Sequence, residues 1–435
     1  MEPVHIIGAG VAGLGAAHYL SQRGIPAIVH EATGHYGGRA GAVHHDGYDF
    51  EIGGKNFSTA WPRFNALLEE FGIDEFEPQH PGFHIVLADK LIALEKSKTL
   101  SGDLRLASAI GFRGALQLRK FLNDARTNAE RLNYTSGLIE EVEQEWDHMT
   151  IDRHFTRNLT DGPLRLFSII MGAAEPSELY PSLLMLFASG FGKGSHRAIK
   201  GGVGRFHDAL AAGKDIRYGS AVRQIHIADG AVKAITVEDA EGRRTIPATR
   251  VISAVPLHVL REMVDLPAYA RVAATAIRYH PLALVNAVYD APVFRENIHS
   301  IMFEPGSVLG HCSANRLDTP NHARFTLSGK AAREVLELPN DELLALTEAT
   351  FSRRLPIRAN RVTTHIARHP GGICGYAPYF SRVKRDLLRG VAALDGLEIA
   401  GDYLEGHTME GCLTSGGLAV ERLLTAAPAH IAEAA

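Results

Sequence analysis

The chain has 435 residues, 46% hydrophobic and 22% charged, with 45 basic against 49 acidic residues and a formal charge of -4. That length is too great for one simple core and calls for two domains or one domain with a large insertion, while the near-balanced charge gives no electrostatic ground for a nucleic-acid partner. Three scattered cysteines, Cys312, Cys374 and Cys412, are too few for a disulfide framework or a zinc site and suit a reducing compartment.

Val4 to Ile7 is a short apolar run that leads into Gly8-Ala9-Gly10-Val11-Ala12-Gly13 with no basic segment or cleavage site before it, so a cytoplasmic location is expected. Leu14 to Arg23 is rich in helix formers and stops at Gly24, and Ala27-Ile28-Val29 reads as a second strand leading to Glu31. In such a strand-turn-helix-strand unit each glycine has a mechanical task. Gly8 allows the sharp turn, Gly10 lets the backbone approach a pyrophosphate, and Gly13 lets helix and strand pack closely. Glu31 is placed to bind ribose hydroxyls. The unit predicts a dinucleotide and leaves NAD and FAD undistinguished.

The next segment, Glu31 to Arg39, ends in Gly37-Gly38-Arg39, a pattern suited to a second phosphate with a cation beside it. Tyr48 to Phe57 follows, containing Gly53-Gly54-Lys55-Asn56. Residues 59–194 are helix-rich by composition and include a helix-like Arg63 to Phe71 that ends at Gly72. Within them, Leu104 to Leu122 sets Arg105, Arg113, Arg119 and Lys120 among apolar residues. That spacing leaves peripheral membrane contact open and favours a solvated helix packed on its own domain. The uncharged run Leu179 to Gly192 is short for a membrane span and suits a buried helix. The Leu-, Met- and Phe-rich stretch Leu164 to Phe191 suits an apolar cavity or an ordinary core.

Beyond residue 195 the elements alternate again. Lys200 to Gly204 precedes a helix-like Arg205 to Ala212, then come the strand-like Ser220 to Ile225 and Arg250 to Pro256. Residues 266–392 hold strand-like runs at Leu282 to Tyr289 and Ala323 to Leu327 and a helix-like Asp341 to Arg353. Leu397 to Asp402 and Met409 to Gly416 come near the end, and Ala426 to Ala435 reads as a frayed tail.

Taken together these motifs resemble the flavin-containing amine oxidase superfamily, which includes monoamine and polyamine oxidases, protoporphyrinogen oxidases and phytoene-type desaturases. The resemblance implies an α/β fold: a Rossmann-like FAD-binding domain assembled from residues 1–58, 195–265 and 393–435, with an inserted α+β substrate domain of 59–194 and 266–392. FAD would be held at Gly8, Gly10, Gly13, Glu31, Gly37, Gly38 and Arg39. Gly53 and Gly54 would pass under the flavin ring, in a form closest to protoporphyrinogen-oxidase-like members, and the Val222 backbone would pair with adenine. Gly401 and Asp402 would lie beside the ribityl and phosphate groups. Met409 and Glu410 would open a helix aimed at the flavin pyrimidine, where its dipole favours negative charge.

An FAD enzyme of this kind removes a hydride from a small organic substrate. Two departures from the family pattern narrow the reaction. Leu284 takes the place of the lysine that contacts flavin N5 through water in amine oxidases, and His407-Thr408 stands where those enzymes carry an aromatic residue before Met-Glu-Gly. Both favour a desaturase-like or protoporphyrinogen-oxidase-like removal of hydride, from a CH-CH or CH-N unit, over simple amine oxidation, which remains an alternative beside a flavin-dependent isomerase or mutase. A flavin-free binding protein, as in the Rab GDP-dissociation inhibitors, is disfavoured by the intact Gly37-Gly38-Arg39 and Gly401-Asp402. Lys55 and Asn56 are candidate polar groups facing substrate, the other placement being Lys55 on the surface and Asn56 capping a turn. His407 is a candidate acid or base because imidazole titrates near neutrality. Cys374 lies in a context faintly like the cysteine that holds flavin covalently in monoamine oxidases, and its spacing favours a core thiol with non-covalent FAD. No metal site is expected, and oligomeric state is unreadable.

Overall fold

The computed structural model describes residues 2–78, 82–87, 89–93, 100–190, 194–317 and 319–425, with Leu87 and residues 100–107 described by their backbone alone. The tail Ala426–Ala435 and the side chain of Arg105 lie outside the described residues.

Five short strands form a parallel sheet in the order Asp215–Arg217, Ala27–His30, Val4–Ile7, Val251–Ser253, Leu397–Ile399. Val4 to Ile7 is buried along its whole length because a parallel sheet is covered on both faces, which is why it is apolar apart from His5. The helix Val11–Ser21 packs on this sheet, and the long helix Met409–Thr425 packs on that helix. Gly416 marks their crossing: a Cβ there would lie 2.5 Å from the Ala12 carbonyl oxygen, so the two backbones meet directly. The sheet therefore draws its strands from the first 30 residues, from 215–253 and from 397–399.

A second sheet of seven strands runs in the order Arg361–Gly375, Arg278–Tyr289, His322–Leu327, Leu309–Ala314, Ser300–Met302, Phe83–Leu87, Lys90–Ala93. Alternation along Arg278–Tyr289 sorts its side chains between two cores. Ala283, Val285, Ala287 and Tyr289 pack with Leu343, Leu344 and Phe351 of the helix Asn340–Ser352. Leu282 and Leu284 face the other way, onto Ile52, Ala173 and Ala367.

Most helices fall near their expected places: Pro62–Glu70 ends before Gly72, whose φ of +64° reverses the chain. Residues 59–194 also contain the strands Phe76–Pro78, Phe83–Leu87 and Lys90–Ala93, which composition does not reveal. Phe76–Pro78 pairs with His196–Ile199, and Phe83–Leu87 joins Ser300–Met302, so these short runs become strands through partners distant in sequence. No helix among the described residues is long and apolar enough to cross a membrane.

Candidate active site

The glycine turn after the first strand is built as its spacing requires. Gly8 adopts φ +99°, closed to most side chains, and its N-H donates to the His30 carbonyl at 2.8 Å. A Cβ on Gly13 would lie 2.0 Å from the Gly8 carbonyl oxygen, so the helix packs against the turn with no room for a methyl group. Gly10 is different: nothing lies within 4 Å of where its Cβ would be. Glu31 reaches back over this turn, accepting from Ala9 N at 2.8 Å and from the Thr33 N and Oγ1 at 2.8 Å each. Val222 comes to the same edge, since Ser220 N donates to the Glu31 carbonyl at 2.8 Å, and it is buried where its strand shifts register between Val222 and Gln224.

The second glycine motif is joined to the first. Gly37 N donates to the Ala9 carbonyl at 2.9 Å, and a Cβ on Gly38 would lie 3.2 Å from the Gly10 Cα. Arg39 then extends to the far end of the chain. Its Nη1 donates to Asp402 Oδ2 at 2.8 Å and to the carbonyls of Gly371 and Gly372 at 3.3 and 2.8 Å, and its guanidinium lies 5.4 Å from the centre of the Tyr279 ring. Tyr279 donates to Asp402 Oδ1 at 3.3 Å, while Tyr376 donates to the Asp402 backbone carbonyl. Gly401 is held by Ser415 Oγ, which accepts from its N-H at 2.9 Å. The two glycine turns, Arg39, Gly401 and Asp402 thus lie along one edge of the parallel sheet, where α/β folds bind ligands.

Residues 51–55 cross from this edge onto the seven-stranded sheet. Three consecutive carbonyls are held by side chains from three adjacent strands: Asn286 donates to Glu51 at 3.5 Å, His369 to Ile52 at 2.6 Å, and Arg324 to Gly53. A Cβ on Gly53 would lie 1.5 Å from the Arg39 carbonyl oxygen, whereas Gly54 is exposed with nothing within 4 Å of its Cβ position. Lys55 is buried, 4% exposed, with Nζ donating to the Asn315 carbonyl and standing 4.0 Å from Glu51 Oε2. Its surface placement is thereby corrected. Asn56 is half-buried in the strand Asn56–Ser58, paired with Ala198, so it does not cap a turn.

Met409 is buried at the start of the closing helix. Glu410 lies in the first turn of that helix, and its two carboxylate oxygens accept from Arg63 N at 3.1 Å and Phe64 N at 2.8 Å, capping the helix Pro62–Glu70. Any cofactor contact at 410 is left to the backbone. The His407 ring lies 4.9 Å from Phe187 and 6.0 Å from Tyr376. Cys374 is fully buried and burial pushes its thiol well up, as for an inert core thiol.

The family described as flavin containing amine oxidoreductase matches residues 11–424. The chain belongs to this family. Protoporphyrinogen oxidase 2 of Arabidopsis thaliana is 38% identical over 187 residues, which is 40% of this chain and 34% of that protein, so the chain spans about a third of its length. Putrescine oxidase of Kocuria rosea is 26% identical over 387 residues, 81% of this chain and 78% of that protein. A solved triple mutant of putrescine oxidase shares the fold with a TM-score of 0.80 at 18% identity, covering 97% of this chain and 98% of that one. The flavin-containing amine oxidoreductase is therefore an FAD-dependent enzyme with the two-domain fold of its relatives.

The residues present fit that cofactor. The open directions at Gly10 and Gly54 mark a cradle that a Cβ would obstruct, while Gly13 and Gly53 are closed by backbone packing. Burial works against the charge on Arg39, but Asp402 outweighs it and holds the guanidinium firmly protonated. In this oxidoreductase two titratable candidates sit far from their ordinary ranges. Burial takes the Lys55 amine down to about 7, with Glu51 opposing and Arg324 and Arg316 assisting. Burial also takes His407 down to about 4, so it is a neutral imidazole at neutral pH and does not titrate there.

Several residues at the site were not legible as site residues. Asn286, the one polar residue in the run Leu282 to Tyr289, was the available signal for the sheet side, and the pair Gly371-Gly372 was the signal for the Arg39 end. Tyr279, His369 and Arg324 carried none, because their roles depend on strand register alone.

Proposed function

We propose that the enzyme removes a hydride from a CH-CH or CH-N unit of a small, largely apolar organic substrate, by dehydrogenation of the desaturase or protoporphyrinogen-oxidase kind and not by simple amine oxidation. Leu284 carries this reading. At the strand position where the resemblance places an amine oxidase lysine there is an apolar side chain, 2% exposed, packed with Ile52, Leu282 and Ala367. No cation stands there to order water or favour reaction with dioxygen. Thr408, in place of an aromatic residue, points the same way.

FAD, when bound, supplies the hydride acceptor. The chain's own groups bind and orient. In this reading Gly8, Gly10, Gly13, Gly37, Gly38 and Arg39 receive the phosphates, Glu31 the ribose, and the Val222 backbone the adenine. Gly401 and Asp402 flank the ribityl chain, Gly53 and Gly54 run beneath the ring, and Met409 with the backbone of Glu410 presents a helix N-terminus to the pyrimidine. Lys55 and Asn56 face the substrate side, and Lys55, largely neutral above about pH 7, is competent to hold the proton that the substrate releases. His407 offers a neutral hydrogen-bonding group beside Phe187.

The test is anaerobic bleaching of the flavin by a panel of amines, polyenes, porphyrinogens and carrier-bound intermediates, followed by reoxidation with dioxygen or a dye. Bleaching by compounds bearing a CH-CH unit, with slow reoxidation by dioxygen, is expected. Bleaching by simple amines with rapid peroxide release would replace this reading with an amine oxidase. Substrate conversion with no electrons passed to any acceptor would replace it with an isomerase.

A further inference from the structure

The helix Leu100–Thr127 breaks at Gly111, which adopts φ +75° and ψ 162°, and restarts at Phe112. Its inner side is ordinary core: Ile110, Phe121 and Ala125 are at most 3% exposed. The outer side is not the polar face that a helix packed only on its own domain presents. Phe112 is 81% exposed and Leu116 51%. Residues 112, 116, 119, 123 and 126 recur at intervals of four and three and so share one ridge, running from these two apolar side chains into Arg119, Asn123 and Arg126.

Along the helix that carries this ridge, basic residues outnumber acids. Between residues 108 and 127 the sequence carries Arg113, Arg119, Lys120 and Arg126 against the single acid Asp124, and Lys120 pairs with that acid at 2.5 Å. Arg113, Arg119 and Arg126 are exposed.

We propose that this face docks the enzyme on an anionic membrane surface, with Phe112 and Leu116 entering the headgroup layer and the arginines meeting lipid phosphates. A convex ridge with an apolar tip and a basic collar is complementary to a flat, negatively charged lipid interface. The helix that carries this face also touches an element of the candidate site. The helix packs on Pro181–Ala188, which carries Phe187, the residue whose ring faces His407.

Co-sedimentation of the FAD-loaded enzyme with phosphatidylglycerol or phosphatidylcholine vesicles tests this directly. Binding to phosphatidylglycerol vesicles is expected, weakening as salt is raised. It should fall about tenfold or more in the Phe112→Ser/Leu116→Ser variant and in the Arg113→Gln/Arg119→Gln variant. Flavin content and melting temperature should stay unchanged in both, since these side chains are exposed. The proposal is overturned by absence of binding at low salt, by equal binding to phosphatidylcholine, or by variants that bind like the wild type. It is also overturned if the Phe112→Ser/Leu116→Ser variant instead breaks up an oligomer, which would make the face a protein contact.

Discussion

Arg39 and Asp402 are 363 residues apart in the chain and 2.8 Å apart in space, and the bond between them ties the second glycine motif to the start of the closing signature. Arg39→Met would leave a carboxylate that is 6% exposed without its cation. Because Arg39 itself is 31% exposed, the cost is put at about 2 kcal/mol, below that of a wholly buried pair. The variant should melt earlier and elute from gel filtration with little FAD. Arg39→Lys should not restore binding, since one ammonium cannot reproduce a guanidinium that meets Asp402 and two carbonyls together.

The two glycines of the first turn should separate folding from cofactor binding. Gly13→Ala sets a methyl group 2.0 Å from the Gly8 carbonyl and should yield insoluble or unstable protein. Gly10→Ala meets nothing within 4 Å and has an ordinary φ of -74°, so the apoprotein should melt like wild type. Its FAD affinity, measured by titration of the apoprotein, should fall at least about tenfold if the space is where the pyrophosphate lies. Equal affinity would remove Gly10 from the cofactor site.

Beneath the glycine turn, His5 Nδ1 and His30 Nε2 lie 3.0 Å apart and His30 Nδ1 lies 3.0 Å from Ser220 Oγ. Burial takes His30 down to about 4, with His5 and Arg217 adding to the shift. A base with a lowered folded pKa binds protons more readily when unfolded, so stability is lost as pH falls from about 6.5 towards 4. For His30 alone the loss is on the order of 3 kcal/mol. His207, His280 and His407 are lowered to about 4 as well and steepen the same limb. His30→Gln should flatten melting temperature against pH over this window without abolishing the limb. An unchanged slope would mean that the pair does not titrate on unfolding.

Lys55 gives a pH signature of its own. With its amine at about 7, the neutral fraction rises as pH increases through that value, and so should kcat/KM if the neutral amine takes the substrate proton. Lys55→Met should remove this ascending limb and lower the plateau by a factor on the order of a hundred. Persistence of the limb in the variant would assign it to another group.

Local signals carried much of the reading. The strands Val4–Ile7 and Ala27–His30, the glycine turns and the acid at Glu31 were visible because each obeys a short-range rule of periodicity or φ angle, whereas the edge strand Asp215–Arg217 was not. Lys55 was ambiguous because one lysine in a glycine-rich segment looks the same whether it faces water or the Asn315 carbonyl. The carboxylate of Glu410 caps a helix some 350 residues earlier in the chain, a contact that no local pattern announces.

By itself the order of residues determined that a dinucleotide fold forms, where its turns lie, and which family the chain resembles, because these depend on backbone geometry over a few adjacent positions. Only the tertiary structure decided that three strands support the carbonyls of Glu51, Ile52 and Gly53, that His407 is neutral, and that Phe112 faces outward. Those properties are set by burial and by which distant segments meet, and burial is a property of the packed chain.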